Sequence, residues 1–166
     1  MRRFHWFGVG LAVLSVAGLA RAADDADSGV ERGRYLISVS GCNDCHTPGY
    51  PESGGALPES DWLVGSSVGF EGPWGTTYPA NLRRLIASQS EAQWLERARS
   101  ATRPPMPWFS LRDMTEDDLK AIYAFVRSLG DKGEPAPDYV PPGQTVLTPY
   151  FEFVPKGPGE NRQAAR

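Results

Sequence analysis

The stretch Cys42-Asn43-Asp44-Cys45-His46 decides how this chain is read. Two thiols separated by two residues and followed at once by a histidine form a C-x-x-C-H pentapeptide. This spacing lets both sulfurs reach two vinyl groups of one macrocycle and sets the imidazole beneath its iron. A C-x-x-C pair has two other readings, a thioredoxin-type redox pair and half of a zinc site. The chain holds only two cysteines, so no second pair completes a cysteine-rich zinc site. No βαβ pattern surrounds the motif, as a thioredoxin-like pair would require. The motif therefore predicts one covalently held haem, attached at Cys42 and Cys45 and ligated by His46.

Upstream, Arg2 and Arg3 precede an apolar run from about Phe7 to Leu19, and Ala20-Arg21-Ala22 offers the small residues a signal peptidase reads. Residues 1–22 are expected to be a secretory signal, cleaved or kept as an anchor, which places the protein in the periplasm. No permanent membrane span is expected after cleavage. Loss of Met1 to Ala22 would remove three of the 17 basic residues and leave 14 against 20 acidic ones, an acidic protein of about 144 residues. Lys120, Lys132 and Lys156 are its three lysines. A dense lysine docking face and nucleic-acid binding are not expected of such a chain.

The same cleavage would remove Met1 and His5, leaving His46 as the one histidine, with Met106 and Met114 as methionines. A second imidazole from the same chain then has no source, and a thioether is the usual candidate for the sixth iron position. Met106 lies in Arg103-Pro-Pro-Met-Pro-Trp-Phe109, where three prolines exclude a helix and restrict the backbone around one flexible side chain. Met114 precedes Thr115-Glu-Asp-Asp118, a helix start in which Thr115 is the N-cap and Met114 and Leu119 form the N′ and N4 pair of a hydrophobic staple. The axial position is assigned to Met106, with core packing as its alternative role.

Three helices are legible. Residues from about Val30 to Ser40 place Val30, Gly33, Leu36 and Ile37 on one face, and a glycine there suggests a close helix crossing. Ser90 caps a helix whose apolar side is Trp94, Leu95 and Ala98. From about Glu116 to Leu129, Leu119, Ile122, Tyr123, Val126 and Leu129 recur at helical spacing and Gly130 ends the run, so this helix is expected to pack on the one carrying Gly33. Asn81 to Ile86 reads as a turn or a short helix. Between Thr47 and Pro79, glycine and proline recur with Trp62, Phe70, Trp74 and Tyr78 interleaved, so a long irregular loop is expected to wrap a haem. For Trp62 and Trp74 two readings stand, an indole N–H donated to a propionate or packing on protein alone. Arg83, Arg84, Arg97, Arg99 and Arg103 form a basic set that suits a propionate, an acidic partner or a solvated face. The expected domains are a haem domain over 23–130 and a proline-rich extension over 131–166, whose aromatic part, to about Val154, is expected to lie extended on the domain or on a partner and whose last residues are expected to be disordered.

The order of Gly33-Arg-Tyr-Leu-Ile37, Cys42-Asn-Asp-Cys-His-Thr-Pro48, Tyr78-Pro-Ala-Asn-Leu82, Pro105-Met-Pro-Trp108 and Met114 through Leu129 resembles class I bacterial cytochromes c. It looks most like the haem domains of cytochrome subunits of periplasmic dehydrogenases. The resemblance covers about Val30 to Leu129. It implies an all-α fold of about three to five short helices with haem-wrapping loops. It also implies haem c bound through Cys42 and Cys45, iron ligated by His46 and Met106, and a crossing of first and last helices at Gly33.

The chain is accordingly read as a periplasmic one-electron carrier rather than an enzyme. Its expected partners are redox proteins: a dehydrogenase, an oxidase or another cytochrome. No Ser/His/Asp set or P-loop motif is present. A haem-based sensor or peroxidase-like enzyme with an open sixth position is the alternative, and a non-haem thiol oxidoreductase is the third reading.

Overall fold

A computed structural model of the chain describes residues 28–157. The expected export segment and the polar end of the tail lie outside the described residues. Helix α1 spans 28–39 and is followed by α2 (Cys42–His46) and a single 3-10 turn at Glu59–Asp61. Strands β1 (Gly69–Gly72) and β2 (Gly75–Thr77) come next, then α3 (Leu82–Ala87), α4 (Glu91–Arg99), α5 (Trp108–Asp113), α6 (Glu116–Ser128) and β3 (Tyr150–Glu152).

The longer helices obey local rules. In α4 the Ser90 hydroxyl accepts from Gln93 N while the Gln93 side chain accepts from Ser90 N, a complete capping box. In α6, Thr115 accepts from Asp118 N at 3.1 Å, and Glu116, Asp117 and Asp118 lie at the positive end of the helix dipole. Gly130, at φ 74°, takes the left-handed conformation that ends the helix. The buried face of α6 is Leu119, Ala121, Ile122, Phe125 and Val126. Phe125 was not in the expected stripe, which instead included Tyr123 and Leu129. Those two are partly buried at the edge of the core.

Helices α1 and α6 cross closely at Gly33. A Cβ built on Gly33 would run into the Ala121 carbonyl and stand 2.7 Å from Phe125 Cβ. Hydrogen there lets the backbones touch, and Ile37 and Phe125 are buried beside the contact. Around it, Leu36, Trp62, Leu63, Ile86, Trp94, Ala98 and the α6 face complete one core. Helices α3 and α4 both pack on α6. The Trp94 indole donates to Leu119 O at 2.8 Å, so the α4 contact is polar as well as apolar.

The fold is mostly helical but not all-α. The glycine-rich segment holds a hairpin, with Phe70 opposite Thr77 and Gly72 opposite Gly75. The C-terminal segment adds β3 parallel to β1, pairing Phe70 with Phe151, to give the order β2-β1-β3. The aromatic extension thus lies on the domain itself. Its pairing partner stands about 80 residues earlier in the chain, which is why glycine and proline density alone reads as coil.

Arg83, grouped by sequence with a surface basic set, is 6% exposed. Its guanidinium donates to Gly130 O at 2.7 Å, to Ser60 O at 2.9 Å and to Leu129 O. It satisfies the orphan carbonyls at the end of α6 and ties them to α3. Arg84 donates to Gly133 O, and Arg99 to Met114 O and Arg112 O.

Two stability predictions follow from these contacts. Gly33→Ala places a methyl against backbone that has no room to move aside, and is expected to lower stability by about 1–3 kcal/mol. Arg83→Met leaves the Leu129 and Gly130 carbonyls without their donor, while Ser60 O keeps Lys132 Nζ, at an expected cost of about 2–4 kcal/mol, whereas the exposed Arg97→Met stays within about 0.5 kcal/mol. Denaturant midpoints of the three variants test both. Equal midpoints for Arg83→Met and Arg97→Met would rule out the capping role.

Candidate functional site

The C-x-x-C-H motif lies on α2, a helix of five residues entered from Gly41 in the left-handed conformation (φ 70°). One turn of helix carries Cys42, Cys45 and His46 together, and a helix this short depends on its surroundings for stability. Those surroundings are built by Thr47. Its hydroxyl donates to Asn43 Oδ1 at 2.7 Å and accepts from Leu63 N at 2.8 Å. The His46 carbonyl accepts from Gly65 N at 2.9 Å. Leu63, fully buried, is held at φ 63°, an uncommon conformation for a branched side chain, and its carbonyl in turn accepts from Leu82 N at 3.0 Å. Residues 63–65 therefore stitch α2 to the start of α3.

His46 is 8% exposed. Its Nδ1 lies 2.7 Å from the Ala80 carbonyl oxygen, which can only accept, so Nδ1 carries the hydrogen and Nε2 keeps its lone pair. Burial pushes the imidazole pKa down and the Ala80 contact opposes this, which leaves the neutral ring as the favoured form at neutral pH. Next to Ala80, Asn81 uses its whole side chain. Oδ1 accepts from Arg84 N, and Nδ2 donates to Lys132 O at 2.8 Å and Glu134 O at 3.0 Å. The peptide that orients His46 is thus tied to α3 and to the chain beyond α6. Sequence reading placed Ala80 and Asn81 within a matching segment but gave them no role, because a backbone acceptor leaves no side-chain signature.

Cys42 and Cys45 form no disulfide with each other and differ in setting. Burial pushes Cys42 up to about 11. Cys45, at the surface, is raised by partial burial and by Asp44. Both are mainly protonated at neutral pH, the opposite of the depressed thiol that characterises a redox-active C-x-x-C pair. Among the described residues, no three His, Cys, Asp or Glu side chains cluster as ligands for a metal ion.

Met106 stands in a different element, the proline-rich turn between α4 and α5, and is half-buried. Its carbonyl accepts from Trp108 N at 2.9 Å. It is not among the side chains packed on the core, whereas Met114 is. The expected structural role of Met114 matches this packing. The two tryptophans separate in the same way. Trp62 donates to Leu57 O at 2.9 Å and packs edge-on against Tyr50 and Phe125, so its N–H is spent within the protein. Trp74 Nε1 is buried with no partner among the described residues, as is Asn43 Nδ2.

The cytochrome c family model matches residues 30–130. Among curated proteins, the chain is similar to the cytochrome c subunit of the quinone alcohol dehydrogenase of Gluconobacter oxydans (strain 621H). The two are 28% identical over 130 residues, covering 70% of this chain and 24% of the relative. The subunits of the same name from Gluconacetobacter polyoxogenes and Komagataeibacter europaeus are each 31% identical over 123 residues, 66% of this chain and 24% of theirs. The chain thus spans about a quarter of the length of these relatives. No solved structure matches it. With the C-x-x-C-H helix, the oriented imidazole and a family match running from α1 to the end of α6, this chain belongs to the cytochrome c family and is an electron-transfer cytochrome.

Proposed function

We propose that the chain is a periplasmic carrier of one electron, with haem c joined to Cys42 and Cys45 and its iron held between His46 and Met106. The observation that carries this reading is the buried His46, whose Nδ1 is committed to Ala80 O and whose Nε2 is left as the one basic nitrogen for a metal. The rest of the donor set fits a haem as well. Two thiols precede the imidazole on one helical turn. A thioether outside the protein core is available at Met106, and a buried indole N–H at Trp74 lacks an acceptor, as it would beside an anionic propionate.

When bound, haem iron supplies the one-electron change of oxidation state. The chain's own contribution is to hold an imidazole buried, neutral and oriented, and to hold a thioether in a restricted turn. A thioether ligand favours ferrous iron and raises the potential. No base or nucleophile is needed, and the lone histidine of the described residues is already committed. The similarity to alcohol dehydrogenase subunits supports a dehydrogenase as electron donor, with a further redox protein as acceptor. No helix among the described residues is long and apolar enough to cross a membrane. Residues 23–130 would form the haem domain and 131–166 its extension.

Absorption spectra of the holoprotein test the ligand set. The wild type is expected to be low-spin, with a ferric sulfur-to-iron charge-transfer band that Met106→Ala abolishes and Met114→Ala keeps. The reduction potential should fall in Met106→Ala. A high-spin wild type that takes up carbon monoxide readily would replace the carrier by a ligand-binding haem protein.

A further inference from the structure

We propose that the segment following α6 is a strap that positions the Met106 turn, and that Tyr139 is the residue through which it acts. The proposal rests on the assignment of Met106 as an iron ligand. Three prolines limit the torsions of the turn, but they do not set where it sits against the rest of the fold. Local contacts do not set it either. The Met106 carbonyl bonds only two residues ahead, Pro107 gives α5 no side-chain cap, and Met106 is outside the packed core.

Helix α5, which follows the turn, packs on α4, and two long-range contacts reach the turn itself. From the hairpin, the Thr77 hydroxyl donates to Pro104 O at 2.7 Å, two residues before Met106. From the strap, the Tyr139 ring stacks under the Arg103 guanidinium, whose carbon lies 4.0 Å from the ring centroid, three residues before Met106. The ring is itself fixed, because the Tyr139 hydroxyl donates to Trp74 O at 2.7 Å. Its neighbour Val140 exchanges two backbone hydrogen bonds with Thr76, at 2.8 and 3.0 Å.

The hairpin is shaped to receive this residue. Gly75 sits at φ 92°, and a Cβ built there would meet the Val140 carbonyl and stand 3.0 Å from both Cε2 and the hydroxyl of Tyr139. Beyond it, Tyr78 and Thr148 share a hydroxyl bond of 2.7 Å, and Phe151 and Phe153 flank Phe70. Before Tyr139 the strap is held by Asn81 Nδ2 on the Lys132 and Glu134 carbonyls, so it is anchored on both sides, and the stack on Arg103 transmits that anchoring to the Met106 turn.

The test uses full-length ferric holoprotein and imidazole, which competes with a thioether for iron. Loosening the turn by removing one cation–π contact and one hydrogen bond is expected to tighten imidazole binding roughly tenfold in Tyr139→Leu. The pH at which the charge-transfer band is lost should fall in the same variant. Tyr139→Phe keeps the stack and should shift both readouts less. Arg103→Gln removes the stack without touching the strap's core contacts, and carries the test if Tyr139→Leu does not fold. Gly33→Ala disturbs the α1–α6 crossing, away from the strap; it should lower the denaturation midpoint yet keep imidazole affinity within about twofold of wild type. Wild-type affinity in both Tyr139→Leu and Arg103→Gln, or an equal shift in Gly33→Ala, would overturn the positioning role. Met106→Ala separates the two levels. If it binds imidazole no more tightly than wild type, the ligand assignment falls and the strap's role with it. If it binds more tightly while the Tyr139 and Arg103 variants do not, the strap alone is overturned.

Discussion

The hydrogen bond between His46 Nδ1 and the Ala80 carbonyl, at 2.7 Å, is the constraint on which the rest of the site depends. One contact fixes the ring's orientation, its tautomer and the nitrogen left for chemistry. It lasts only if Ala80 is itself immobile, and α2 cannot hold it, since five residues make a single turn. Immobility comes from outside the helix. Asn81 binds the carbonyls of Lys132 and Glu134, and Leu63 joins the end of α2 to the start of α3.

The same solution recurs throughout the chain. Regular structure covers a limited share of the described residues, so many backbone groups lie in loops and must find partners without a ladder. Buried polar side chains provide them. Thr47 serves Leu63 N, Asn81 serves three backbone groups, and Arg83 closes the end of α6. Each joins segments far apart in sequence, so these residues do for the loops what hydrogen-bond ladders do elsewhere. Buried Arg83 illustrates the energetic logic: desolvating a guanidinium is unfavourable, and three carbonyl acceptors offset that cost.

Local rules made much of this readable from the amino-acid sequence. The Ser90 and Thr115 caps of α4 and α6, the ending at Gly130, the crossing at Gly33 and the packing of Met114 on the core all rest on neighbours within a turn or on a required absence of side chain. Long-range pairings were not readable. The hairpin requires strands that look like coil until β3 is set beside them, and Arg83 is indistinguishable by composition from its exposed neighbour Arg84. Trp62 and Trp74 offered identical indoles, and only the position of the Leu57 carbonyl separates the one that is spent from the one that is free.

The two halves of the proposed ligand set are held by different means. The imidazole sits in a buried network whose members each have several partners, while the thioether sits in a half-buried turn restrained by a hydroxyl bond and a stacked arginine. Electron transfer is fastest when nothing moves on changing charge, so both groups gain from being placed before the iron arrives. Their tolerances differ, however. Disturbing the His46 network strips partners from buried groups and threatens the fold, whereas easing the Met106 turn leaves the core intact. On the proposed ligand set, the thioether side is therefore where this architecture can adjust potential and ligand access without loss of structure. It is also where the chain beyond α6 makes its contacts with the hairpin and with Arg103.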